Sequence, residues 1–136
     1  MMKAVIVRDR TTSGDVFHER VLEFSRVPIT VRDLIRERVR AEAMDFNRNP
    51  AARVYHGLVP PADAQCIPVG DLVEYRLGSH RRIEWEPQLA RALEGFARGD
   101  YFLMVDGRHV QDLDAEIAIG RGTLVSFVKQ SMLVCC

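Results

Sequence analysis

The chain reads as an α+β protein in which a mixed sheet packs on one main helix, and three observations predict it. A β-branched run at 3–8 is followed by turn formers and a second strand-like run at 16–24. A capped amphipathic helix pattern follows. The last third returns to strand patterning, ending in Thr123–Val128. Strands on both sides of a helix need a shared sheet, and the apolar stripe of the helix must be buried against one face of it.

The first hairpin rests on turn chemistry. Lys3–Arg8 and Val16–Phe24 flank Asp9-Arg10-Thr11-Thr12-Ser13-Gly14-Asp15, a run rich in residues that bond their own backbone or accept positive φ. In the second strand Phe17 and Val21 share one parity, whereas Leu22 and Phe24 take the other. A bulge near Glu19 or Arg20 would reconcile them.

Thr30 precedes Val31, Leu34, Ile35, Val39, Ala43 and Phe46, with Asp33 three residues after the threonine. The spacing predicts a capped helix over about 31–46 with a solvated face of Arg32, Arg36, Glu37, Arg40 and Glu42. Between 47 and 100 the pattern is broken by Pro50, Gly57, Pro60, Pro61, Pro68, Gly70 and Gly78. This reads as an insertion with short strands near 53–55 and 71–77. A second helix is expected from Pro87 to Gly99, burying Leu89, Leu93, Phe96 and Ala97. Tyr101–Val105, the turn Asp106-Gly107 and Arg108–Val110 then form a second hairpin, and residues 113–122 make an irregular connection to the last strand.

Composition narrows the function classes. Hydrophobic residues make up 47% and charged residues 28%, with 19 basic against 19 acidic, which argues against disorder and against a global nucleic-acid footprint. A chain of 136 residues is expected to form one domain over 1–136. No apolar run reaches the roughly 18 residues of a membrane span, and the N-terminal run is too short for a signal-peptide core, so a cytoplasmic protein is expected. Three cysteines, Cys66, Cys135 and Cys136, do not make a disulfide framework, which fits a reducing compartment. Lys3 and Lys129 are the only lysines.

Tyr101–Ile117 and Gly122–Val128 resemble the third-strand region and final strand of ubiquitin. Asp106-Gly107 matches the turn, Val110-Gln111-Asp112 the short strand after it, and Gly122-Thr123-Leu124 the opening of the last strand. The resemblance covers the first hairpin, the first helix and about the last 36 residues. It implies a ubiquitin-like β-grasp with an insertion at 47–100 between the main helix and the third core strand, and a C-terminal tail at 129–136. The overall pattern is also similar to bacterial ubiquitin-like proteins found beside E1- and E2-related enzymes. That similarity implies a conjugated protein modifier, with antiphage defence as one setting.

On this reading the tail Met132-Leu133-Val134-Cys135-Cys136 is activated by an E1-like enzyme, passed to an E2-like enzyme and joined to target proteins. Exposed Lys129 and Gln130 at the tail base would contact those partners. Ubiquitin-like modifiers usually end in Gly-Gly, which leaves the activated carboxylate unhindered; here the pair is Cys135-Cys136. Its alternatives are a redox or metal-binding thiol pair, a lipid-attachment site, or an incidental terminus. A non-conjugated β-grasp interaction module in a larger assembly is the second functional reading, and a sulfur carrier is the third.

Enzyme chemistry finds no support. Walker loop, nucleophile elbow and dinucleotide fingerprint are all missing from the sequence. His18, His56, His80 and His109 have no zinc-site spacing. The expectation is therefore no catalysis, no metal and no cofactor. Cys66 reads as a partly buried structural residue, and Trp85, flanked by Glu84 and Glu86, as a packed rather than RNA-stacking aromatic.

Overall fold

A computed structural model describes residues 2–70, 72–120 and 122–129. In chain order the elements are β1 (Lys3–Arg10), β2 (Val16–Phe24), β3 (Ile29–Thr30), α1 (Val31–Arg48), β4 (Val54–Tyr55), β5 (Gln65–Val69) and β6 (Leu72–Arg76). Then come α2 (Trp85–Arg98), β7 (Tyr101–Val105), β8 (Arg108–Val110), β9 (Glu116–Ile117) and β10 (Leu124–Lys129).

The main sheet has the order β2-β1-β10-β7-β8. β1 and β10 run parallel, while β1–β2, β10–β7 and β7–β8 are antiparallel. The fold is therefore α+β with a mixed sheet, as the strand and helix patterning predicts. Alternation along β1 turns Val5 and Val7 inward, and Leu22, Phe24, Leu103, Val125 and Phe127 join them from neighbouring strands. Val31, Leu34, Ile35 and Val39 of α1 close over this layer. Burying such side chains stabilises by roughly 1.5–3 kcal/mol each.

The start of α1 follows from Thr30. Its hydroxyl accepts from the Asp33 amide at 3.1 Å, and the Asp33 carboxylate accepts from the Thr30 amide at 3.1 Å, so two otherwise orphaned donors are satisfied. The helix runs to Arg48, two residues past the expected end, and Asn49 before Pro50 takes an extended backbone. In the β7–β8 turn both Asp106 (φ 50°) and Gly107 (φ 82°) have positive φ, as a two-residue hairpin connection requires.

Several expectations are corrected. The irregularity in the first hairpin falls opposite Asp9/Arg10, not at Glu19 or Arg20. His18 pairs with Asp9 and Val16 with Arg10, which leaves Phe17 as the extra residue and turns its ring toward the cleft described below. Helix α2 starts at Trp85, two residues before Pro87. Its buried stripe is Gln88, Ala92 and Gly95, flanked by half-buried Leu89, Leu93 and Phe96, while Ala97 is exposed. Sequence patterning also missed β5 and the β3–β9 pair, in which Ile29 faces Ile117.

The 47–100 region is not appended loosely. Leu58, Val59 and Ala92 enter the same core as the main sheet. β4, β6 and β5 form a second small sheet whose Tyr55 and Tyr75 pack with Phe46 of α1. Trp85 packs against that second cluster, and Cys66 is half-buried on β5 and engaged rather than free.

Candidate functional site: a cleft above a buried ion network

Three charged residues occupy apolar registers. Asp9 continues the inward alternation of Val5 and Val7 on β1, and Arg38 and Glu42 continue the Leu34 row of α1 at four-residue steps. All three are at most 3% exposed. The Arg38 guanidinium grips both oxygens of Asp9, with Nη2 at 2.6 Å from Oδ2, and its Nε donates to Glu42 Oε2 at 2.9 Å. It also lies 4.5 Å from the centre of the Phe127 ring. The other Glu42 oxygen accepts from the Leu58 amide at 3.2 Å, fastening the insertion to α1. Glu42 is thus not part of a solvated face, contrary to the sequence expectation.

Burial alone would push the Asp9 carboxyl up, but the charge and hydrogen bonds of Arg38 outweigh it and hold the group below the usual carboxylate range. Burial pulls the Arg38 guanidinium down, and Asp9 with Glu42 more than reverses this.

Lys129, the last residue of β10, stands over this network. In the sequence it reads as an exposed partner contact; its side chain is instead partly buried, with its ammonium against Gly57 and two rings. Its Nζ donates to Gly57 O at 2.8 Å and lies 5.1 Å from the Tyr75 ring centre and 5.9 Å from that of Phe17. Desolvation draws its ammonium down to about 8, against the opposing attraction of Asp9. Two cations and two carboxylates are therefore grouped here.

Above them lies a cleft of about 820 Å³ between the β1–β2 turn, the second small sheet and the end of β10. That volume is in the range of small-molecule sites. Phe17, Leu72, Val73 and Tyr75 give it apolar walls, and Thr11, Thr12 and Ser13 a hydroxyl rim. Gly57 meets it because no side chain fits there: a Cβ would stand 2.2 Å from the Tyr55 ring. Burial and neighbouring Arg38 and Arg20 hold the His18 imidazole low despite Asp9. Burial pushes the Tyr75 hydroxyl up to about 12.

The outer face of the main sheet is a second surface feature. Ile6 pairs with Val21 on one side and Leu124 on the other, and these are 46%, 59% and 37% exposed. On the same face half-buried Met104 and Phe102 of β7 stand in the next two rows, opposite Ser126 and Val128, the first of which also holds Arg8 and Glu19.

Of the site residues expected from sequence, Gln130, Met132, Leu133, Val134, Cys135 and Cys136 lie outside the described residues. His18 and His56 line the cleft, whereas His80 stacks on Phe46 at 4.6 Å and His109 meets Phe102 at 4.9 Å. Among the described residues, no three His, Cys, Asp or Glu side chains are grouped to hold a metal. No described helix is long and apolar enough to cross a membrane. The sequence singles out neither Asp9 nor Arg38 and reads Glu42 as solvated, although charges standing in apolar register on both a strand and a helix are a usable signal. No family model, curated protein or solved structure matches the chain.

Proposed function

We propose that the chain is a ubiquitin-like β-grasp protein modifier, activated by an E1-like enzyme, carried by an E2-like enzyme and joined to target proteins through residues after β10. The observation that carries this reading is the sheet. Its last strand, β10, lies parallel to β1 and between the two hairpins, with α1 across one face. A β-grasp needs this arrangement, in which β10, the middle strand of the sheet, ends at Lys129. The uncovered row Val21, Ile6 and Leu124 gives partner enzymes an apolar surface on the body, since such patches commonly mark interaction sites. In this reading the chain brings no catalysis and no cofactor, and ATP chemistry belongs to the activating enzyme.

The same outer face also favours a second reading, a non-conjugated β-grasp interaction module in a larger assembly. One experiment separates the two. The protein is tagged at its N-terminus in its native cells, and wild type, a deletion of 130–136 and Ile6→Asp are compared on denaturing gels. A modifier gives slower bands that vanish with the deletion and weaken with Ile6→Asp. An interaction module gives no such bands, and its partner binding survives the deletion.

A further inference from the structure

The cleft is unevenly supplied with polar groups. Its carboxylates are already committed: Asp9 to Arg38, Glu74 to Arg76 at 2.9 Å, and Asp100 to Arg98 at 2.7 Å. Its donors are not. Lys129 gives one N–H to Gly57 O and keeps two more. Nε2 of His18 is buried and has no hydrogen-bond partner among the described residues, an unfavourable state for a buried polar atom. His18 pairs with Asp9 across β1 and β2, and the His18 and Lys129 side chains both interact with the Asp9 charge. Among the described residues the cleft therefore holds an ammonium with N–H groups to spare and an imidazole nitrogen without a partner. An anion supplies an acceptor to both.

We propose that this cleft binds a small organic anion, its anionic head on Lys129 Nζ and His18 Nε2 and its flat apolar body against Phe17, Leu72, Val73 and Tyr75. Thr12 borders the edge of the cleft, beside Thr11 and Ser13, whose hydroxyls bond each other and Asp15. The volume of about 820 Å³ accommodates a body of two or more fused rings. This site is independent of conjugation, because it uses residues of the body alone.

The test is an amide NMR titration of the full chain with four naphthalene probes: 1-naphthoate, 1-naphthyl phosphate, neutral 1-naphthamide and cationic 1-naphthylmethylamine. At least one anion should shift the His18, Gly57 and Lys129 signals saturably and bind at least tenfold tighter than the amide or the amine. The stronger anion identifies the head as carboxylate or phosphate. Lys129→Met keeps the apolar stem and should weaken the anion at least tenfold while leaving the amide unchanged. If that variant does not fold, His18→Phe takes its place, with at least a threefold loss expected. Equal binding of all four probes, no saturable shift from either anion, or full anion affinity in the folded variant would overturn the proposal.

Discussion

Replacing Arg38 by methionine should be among the most damaging single changes in the body. The side chain is 1% exposed and holds Asp9 through two nitrogens and Glu42 through a third. Methionine keeps most of the stem volume and removes the charge, so two carboxylates at 3% exposure are left with Lys129 as the nearby cation. Breaking a buried pair in this way costs about 3–5 kcal/mol, chiefly through the uncompensated charge. A domain of this size is stable by roughly 5–15 kcal/mol. With a urea slope of about 2 kcal/mol/M, a 4 kcal/mol loss lowers the unfolding midpoint by about 2 M.

The pH dependence checks the cause. Asp9 is depressed in the folded wild type, so its contribution is present above its unfolded value near 3.8 and is lost as pH falls through the folded one. Without Arg38, burial dominates and raises the carboxyl above its unfolded value. Its contribution is then unfavourable at pH 7 and disappears on protonation. Urea titrations of both proteins at pH 7 and pH 4 should show the gap narrowing at pH 4. A midpoint change under about 0.5 M at pH 7, or a gap that does not narrow, would refute the account.

Further outcomes follow from other positions. Gly57→Ala places a methyl 2.2 Å from the Tyr55 ring and should destabilise by about 1–3 kcal/mol in urea titration, with chemical-shift changes at Lys129. Gly107→Ala puts a side chain at φ 82° in the β7–β8 turn and should cost about 1 kcal/mol. Thr30→Ala removes the α1 cap and should also cost about 1 kcal/mol, read as a lower melting temperature. Lys129 faces Asp9, Glu42, Arg38 and Tyr75, and its folded value of about 8 lies below the ordinary 10.5. The unfolded chain therefore binds the proton more tightly, and the Lys129 contribution should raise stability between pH 8 and 10. Lys129→Met should abolish that rise.

Legibility in the sequence followed how local the cause was. The six apolar positions named for α1 are all buried, and the Thr30–Asp33 cap forms, because both depend on spacing within one helix. The Asp106-Gly107 turn was equally readable, since two positive φ values select those residues. Long-range pairing was harder. β3 and β9 are two residues each, and their pairing brings Ile29 to Ile117 across most of the chain, with no periodicity to announce it. Phe17 changed face through a bulge set by Asp9 and Arg10 on the opposite strand. The cleft was illegible for the same reason: Lys129, His18, Gly57 and Tyr75 come from four separate segments. Lys129 reads as a surface lysine in the sequence, whereas the fold sets Gly57 O and two aromatic rings around its ammonium.

The proposed modifier becomes joined to other proteins through residues after β10. Peptide mass spectrometry of the tagged protein from its native cells, searched for branched peptides, tests it most directly. The account predicts peptides in which an acyl carbon within 130–136 is bonded to an amine of another protein. Abundant protein with no branched peptide, and with residues 130–136 recovered only in linear form, would contradict it.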